Sequence, residues 1–201
     1  MERIKIVYID DKPDIDLDEF FDNFCMDGDY EFFYELIEFN PSDGYEALLN
    51  NLEIQTANII FIDSWLFENR TATSGKFTGE EFKMVLQKFF PYIYVIVITQ
   101  NEKDQEIDMI EKYDLGNRSK TAQEYYSEEI PKHIKEGINY IKQLRTIATK
   151  IAHNESWEKL LKERVLDTLS GKNSYDSLTK KDIDELVNNF KIIQERINNG
   201  L

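Results

Sequence analysis

The sequence predicts an α/β fold in which a parallel sheet is covered by helices on both faces and is followed by a helical extension. Three apolar runs rich in β-branched residues, at 3–9, 58–62 and 92–98, have the composition of strands buried on both faces. Segments with helical spacing of apolar residues alternate with these runs. The repeated order of strand and helix is typical of an open, doubly wound sheet.

The elements between these strands follow from local patterns. Apolar residues recur at helical spacing in 14–26 and 42–53, which predicts two helices. A third helix is predicted between Thr78, a suitable N-cap, and Pro91, which cannot continue a helix. Residues 30–39 are rich in aromatic and apolar side chains and are predicted to form the second strand.

The second half of the chain has a different pattern. A fifth strand is expected at 114–119, although these residues are polar. From about Glu124 to Leu169, apolar residues recur at helical spacing. This length predicts either one long helix or two helices joined near 153–156.

The C-terminal part of the chain is predicted to be an appendage to the α/β domain. Residues 170–177 have the composition of a linker. A terminal helix is predicted over 180–199, followed by glycine. We therefore divide the chain into a domain over 1–140 and a helical extension over 141–201.

Composition excludes several classes of function. The net charge is −15, and because 146–201 is charge-balanced, the excess lies in the first part of the chain. A protein with this charge is not expected to bind nucleic acid. The single cysteine, Cys25, cannot form an internal disulfide. No signal peptide or membrane span is recognisable, so we expect a soluble, cytoplasmic protein without membrane contact.

Polar side chains stand where the predicted strands end. These are Asp10 and Asp11 after the first strand, Asp63 after the third, Thr99 after the fourth and Lys120 after the expected fifth. The carboxyl ends of parallel strands share one edge of the sheet, where ligands bind. Three carboxylates there would repel one another unless a hard cation lies among them, so we expect Mg²⁺.

This set of side chains suggests phosphoryl transfer to an aspartate. Asp63 beside a cation would be a nucleophile able to take a phosphoryl group as an acyl phosphate. The ammonium of Lys120 would neutralise one phosphoryl oxygen, and the hydroxyl of Thr99 would donate to another. Lys112 and Lys132 lie nearby in the sequence and compete with Lys120 for this role.

Four short motifs, in this order, resemble the receiver domain of response regulators in two-component signalling: YIDDKP, IIFIDSWL, VIVITQ and RSKT. The resemblance covers roughly 1–140 and implies a flavodoxin-like (CheY-like) fold with strand order 2-1-3-4-5. It also implies that Asp63 is phosphorylated. By the same resemblance, Asp10, Asp11 and Asp63 bind Mg²⁺, and the backbone carbonyl of Trp65 completes the metal shell.

The resemblance implies a response regulator that receives its phosphoryl group from a histidine kinase or a small phosphodonor. The helical extension is too short and too neutral for a standard DNA-binding output. We therefore expect signalling through contacts of the helical tail with an unknown protein or a second copy of the chain. Such a protein is a phosphoacceptor, not an enzyme, apart from self-phosphorylation by small donors and autodephosphorylation.

Some residues depart from the family pattern. The loop after Asp63 is several residues longer than usual, and its expected glycine is Gly79. Gln100, Thr121 and Arg118 stand where the family usually has a small residue, a proline and an aromatic residue. These departures favour an alternative function, a pseudo-receiver that binds a partner without being phosphorylated.

A third function, an aspartyl phosphatase resembling the haloacid dehalogenases, is disfavoured. Those enzymes place two aspartates two residues apart after the first strand, whereas Asp10 and Asp11 are adjacent.

Overall fold

The computed structural model describes residues 2–26, 28–66, 78–100, 109–114, 119–171, 187–189 and 191–192. Within these ranges, five parallel strands form one sheet in the order β2-β1-β3-β4-β5. The strands are β1 (Glu2–Asp10), β2 (Tyr30–Glu38), β3 (Ile59–Asp63), β4 (Tyr94–Thr99) and β5 (Met109–Glu111). The predicted flavodoxin-like order is confirmed.

Helices connect β1 to β2, β2 to β3 and β3 to β4, and helices cover both faces of the sheet. Those in the described residues are α1 (Ile15–Asp22), α2 (Tyr45–Leu49), α3 (Leu52–Gln55), α4 (Gly79–Phe89), α5 (Ala122–Ala152) and α6 (Lys159–Leu169). The single helix expected at 42–53 is instead a 3-10 turn (Pro41–Asp43) followed by α2 and α3. The break before α2 is at Gly44, whose φ of +72° lies in the left-handed region.

The central strands are buried on both faces of the sheet. Because side chains alternate along a strand, neighbouring residues pack on opposite faces. In β1, Val7 and Ile9 pack in one hydrophobic cluster with side chains of α2, α3 and α4. Ile6 and Tyr8 pack in the other cluster, with side chains of α1 and α5. This burial on both sides is why the strands read as continuous apolar runs in the sequence.

The fifth strand differs from its prediction. β5 is Met109–Glu111, earlier than the expected 114–119, of which 115–118 lie outside the described residues. It has three residues, and only Ile110 is buried. A strand this short produces no apolar run, so periodicity alone could not locate it.

The helical extension begins inside α5, because this helix runs through the expected boundary between 1–140 and 141–201. α5 ends at Ala152 and α6 begins at Lys159, which confirms the alternative of two helices. Residues 172–177 of the expected linker and most of the expected terminal helix at 180–199 lie outside the described residues.

Two short helical pieces of the terminal segment, 187–189 and 191–192, are described. Val187 is buried in the cluster formed with α4. The ammonium of Lys191 lies 3.3 Å from a carboxylate oxygen of Glu81, at the start of α4. These contacts place the two described pieces against the α/β domain. Across the described ranges, no helix is both long enough and apolar enough to span a bilayer.

Candidate functional site

Three aspartates meet at the carboxyl edge of the sheet. Asp10 is the last residue of β1, Asp11 follows it, and Asp63 is the last residue of the neighbouring strand β3. One carboxylate oxygen from each lies within 4.8 Å of the others. Asp10 and Asp63 are 1% and 4% exposed, while Asp11 is half-buried. The predicted convergence of these side chains is confirmed.

A lysine from the end of β5 bridges two of these carboxylates. The Nζ atom of Lys112 lies 2.7 Å from an oxygen of Asp10 and 2.7 Å from an oxygen of Asp63. The backbone of Lys112 is fixed as well, because its N–H donates to the carbonyl of Thr99 at 2.7 Å. Lys112 is buried, and its ammonium contacts both aspartates.

Lys120, which the sequence analysis assigned to this place, lies outside the site. It is exposed and pairs with Glu128 on the first turns of α5. The prediction was wrong because the fifth strand ends at Glu111, so the lysine at the strand end is Lys112. Lys132, the other candidate, is also exposed on α5.

The backbone after β3 holds Asp63 in place. The N–H of Trp65 donates to Oδ2 of Asp63 at 2.8 Å. The N–H of Ser64 donates to the carbonyl of Ile98 in β4 at 2.8 Å. The Trp65 side chain is 47% exposed at the rim of the site. The assignment of its carbonyl to a metal stays a prediction.

The start of α4 lies directly against the Asp63 backbone. A Cβ atom on Gly79 would lie 2.2 Å from the carbonyl oxygen of Asp63, a distance that no side chain tolerates. The N–H of Gly79 donates to the carbonyl of Ser64 at 2.9 Å. Gly79 is therefore the glycine that the site requires after the long loop, of which 67–77 lie outside the described residues.

Asp10 accepts hydrogen bonds on both oxygens. The hydroxyl of Tyr8 donates to Oδ2 at 2.5 Å, and the backbone N–H of Lys12 donates to Oδ1 at 2.9 Å. Tyr8 is fully buried. The sequence pattern predicts no site role for Tyr8, and it leaves Lys112 as an alternative to Lys120. For Tyr8 the available signal was its position two residues before Asp10, because residues two apart on a strand face the same side.

The electrostatics of the site leave negative charge unbalanced. Burial raises the pKa of Asp63, Lys112 opposes this effect, and Asp10 adds to it. Burial and the neighbouring Asp10 raise the pKa of Asp11, although the ammonium groups of Lys12 and Lys112 oppose this rise. Burial favours the neutral form of Lys112, but Asp63 and Asp10 outweigh it, so the pKa of Lys112 is raised. The ammonium that bridges Asp10 and Asp63 does not neutralise three carboxylates.

An open pocket of about 440 Å³ gives access to the cluster. It is lined by Asp10, Asp11, Lys12, Asp63, Trp65, Gln100 and Lys112. Thr99 is buried at the end of β4, one residue beyond Ile98, which pairs with Asp63 in the sheet. Carboxylate oxygens at these separations are the ligands that Mg²⁺ prefers, so the residues present fit such a cation.

No protein-family model matches the chain, and no curated protein matches it at a significant level. A solved structure of RcsB from Salmonella enterica serovar Typhimurium, bound to promoter rprA in the presence of the phosphomimetic BeF3−, is similar to the chain, with 16% sequence identity and a TM-score of 0.38. The similarity covers 69% of this chain and 98% of that chain. It is too low to indicate function, and the strand order of the chain itself defines the fold.

Proposed function

We propose that the chain is a receiver of the response-regulator type, which accepts a phosphoryl group on Asp63 in the presence of Mg²⁺. The observation that supports this function best is the convergence of Asp10, Asp11 and Asp63 with the ammonium of Lys112 at one open edge of the sheet. An acidic cluster that could hold a cation, with a buried lysine on the nucleophile, suits phosphoryl transfer. The donor would be a histidine kinase or a small phosphodonor.

In this proposal Asp63 is the nucleophile. One of its carboxylate oxygens attacks the phosphorus of the donor, the bond from phosphorus to the donor breaks, and the leaving group keeps the electron pair. The product is an aspartyl phosphate. Lys112, already 2.7 Å from Asp63, would pair with a phosphoryl oxygen after transfer, and the hydroxyl of Thr99 would donate to another.

Asp11, Asp63 and Asp10 would hold the cation, with the carbonyl of Trp65. A bound Mg²⁺ supplies positive charge that lets an anionic donor approach an anionic nucleophile. Asp11 has the greatest freedom to bind it, because Asp10 already accepts from Tyr8, Lys12 and Lys112. In this proposal Asp11 mainly binds the cation, whereas Asp10 mainly holds Lys112.

The tail would respond through α4. Gly79 packs on the Asp63 backbone, and two residues later Glu81 contacts Lys191 of the terminal segment. The other oxygen of Glu81 accepts from the N–H of Thr78 at 3.0 Å in the capping box of α4. A phosphoryl group on Asp63 adds charge beside this helix start and would change how the tail contacts the domain or a protein partner.

The experiment is a titration with beryllium fluoride and Mg²⁺, which together mimic a phosphoryl group on an aspartate. It is monitored by the fluorescence of Trp65 in proteins that carry Trp157→Phe, where Trp65 is the only tryptophan. Asp63→Asn removes the nucleophile, and Asp16→Asn, on the exposed face of α1, is the matched control. We expect binding to the wild type and to the control, and none to Asp63→Asn. Equal binding to all three would count against the proposed function.

A second function, the unphosphorylated pseudo-receiver, has two observations in its favour. Lys112 already bridges Asp10 and Asp63, so the resting site holds an internal cation. Gln100, which stands where the family usually has a small residue, also lines the pocket that contains Asp63. Absence of modification by phosphodonors, together with binding of a protein partner through the tail, would select this function.

A further inference from the structure

A closed set of hydrogen bonds lies behind the acidic cluster. Lys112 donates to Oδ2 of Asp10 at 2.7 Å, and Tyr8 donates to the same oxygen at 2.5 Å. The Tyr8 hydroxyl accepts in turn from the backbone N–H of Asp14 at 3.3 Å. Asp14 is the N-cap of α1, so this side of the set ties Asp10 to the start of a helix.

The other side of the set returns from α1 to Lys112. The hydroxyl of Tyr126, in α5, donates to Oδ2 of Asp14 at 3.3 Å. It also accepts from the backbone N–H of Tyr113 at 3.0 Å. Tyr113 is the residue after Lys112, so the bonds close on the lysine that bridges the aspartates. We refer to Asp10, Tyr8, Asp14, Tyr126 and the Lys112–Tyr113 backbone as the Tyr8–Tyr126 hydrogen-bond network.

From this arrangement we infer that Tyr8 is a positioning residue of the acidic site, which holds Asp10 so that Lys112 and the cation-binding oxygens of Asp11 and Asp63 keep their places. The inference rests on the cation-binding part of the proposed function, because it assigns Tyr8 a role toward the cation. The tyrosine itself touches neither cation nor phosphoryl group. It acts through Asp10.

The hydroxyl matters because Oδ2 of Asp10 receives two donors from different directions. With both in place, the carboxylate plane is fixed, and Lys112 is held midway between Asp10 and Asp63. Without the hydroxyl, Asp10 keeps Lys112 and the N–H of Lys12 and is free to turn. Loss of a partner that orients a metal-binding carboxylate typically lowers metal affinity by roughly 10- to 100-fold.

A purely structural role for Tyr8 makes a different prediction. Its ring fills the cluster packed by α1 and α5, and Phe would keep that packing. Tyr34 offers a matched comparison, because its hydroxyl donates to Asp18 at 2.6 Å on the same side of the sheet but away from the acidic site. A general effect of losing a tyrosine–carboxylate bond would appear equally in both variants.

The experiment is a Mg²⁺ titration without any phosphodonor, followed by the fluorescence of Trp65, which is half-exposed at the pocket rim. Trp157→Phe in every protein makes Trp65 the only tryptophan. We expect Tyr8→Phe to bind Mg²⁺ about tenfold more weakly than the wild type, and Tyr34→Phe to bind like the wild type. Urea denaturation of the same proteins checks that stability does not explain the difference.

Equal affinity of Tyr8→Phe and the wild type would overturn the inference and leave the proposed function standing. A wild type that binds Mg²⁺ but takes no phosphoryl group would overturn the proposed function and leave the inference standing. No Mg²⁺ binding by the wild type would overturn both. If Tyr8→Phe does not fold, Tyr126→Phe breaks the Tyr8–Tyr126 hydrogen-bond network on its other side. Weaker Mg²⁺ binding by this variant supports the inference, and unchanged Mg²⁺ affinity overturns it.

Discussion

Lys112 and Asp63 form a buried ion pair, with 2.7 Å between Nζ and Oδ1. The same ammonium lies 2.7 Å from Asp10, so one positive charge serves two carboxylates from different strands. Asp11 adds a third carboxylate beside them. This imbalance is the physical reason why the site would bind a further cation.

Replacing Lys112 should be costly. In Lys112→Met, two buried carboxylates face each other without their shared partner, so we expect a loss of about 3 kcal/mol in the free energy of unfolding. Lys120→Met is the control, because its exposed pair with Glu128 contributes less than about 1 kcal/mol. Urea denaturation measures both. Similar losses in the two variants would contradict the assignment of Lys112 to the site.

Neutralising Asp63 should stabilise the metal-free protein at neutral pH. Because its pKa is raised in the folded state, folded Asp63 holds its proton more strongly than the unfolded chain does. As pH rises from the ordinary aspartate pKa of 3.8 through the folded pKa, the wild type therefore loses stability relative to Asp63→Asn.

We expect Asp63→Asn to be more stable than the wild type by about 1 kcal/mol at neutral pH, with the difference vanishing in acid. Urea denaturation at a series of pH values without divalent cations gives the comparison. A variant less stable than the wild type at neutral pH would mean that Lys112 more than offsets the burial of Asp63.

The close approach of α4 to Asp63 should tolerate only glycine. Gly79→Ala places a Cβ where the Asp63 carbonyl stands, so the helix or the site must shift, at a cost of about 3 kcal/mol. Gly44→Ala separates this overlap from backbone strain, because Gly44 has a positive φ and no atom within 4 Å of its added Cβ. It should cost about 1 kcal/mol and leave Mg²⁺ binding unchanged. Thermal denaturation and the Mg²⁺ titration distinguish the two.

Docking of the terminal segment on α4 should depend on Val187. Because this side chain is buried, Val187→Asp should release the segment and speed its removal by protease about tenfold. Ile192→Asp is the control, since Ile192 is 46% exposed. Limited proteolysis followed by gel electrophoresis reports both rates. Equal cleavage of the two variants would show that Val187 does not hold the segment.

The sequence predicts the sheet well where strands are long and buried on both faces. β1, β3 and β4 appear as apolar runs, and each ends at the polar residue assigned to the site. The assignment of Lys120 to the site is wrong because β5 has only three residues, of which one is buried. Such a strand leaves no apolar run that would indicate a strand end next to Lys112.

The Tyr8–Tyr126 hydrogen-bond network could not be predicted from the sequence either. Its bonds join β1, α1, α5 and the residues after β5, and such contacts depend on how elements pack. The sequence pattern predicts that a tyrosine inside an apolar run is a residue of the hydrophobic core. Only its placement beside Asp10 shows the polar role of its hydroxyl.

Intact-mass spectrometry after incubation with acetyl phosphate and Mg²⁺ measures whether Asp63 accepts a phosphoryl group. We expect the wild type to gain the mass of one phosphoryl group, mapped to Asp63. We expect Asp63→Asn to gain none, and chelation of Mg²⁺ to reduce the gain in the wild type. A wild type that gains no mass, or an Asp63→Asn variant that gains as much as the wild type, would contradict the proposed function.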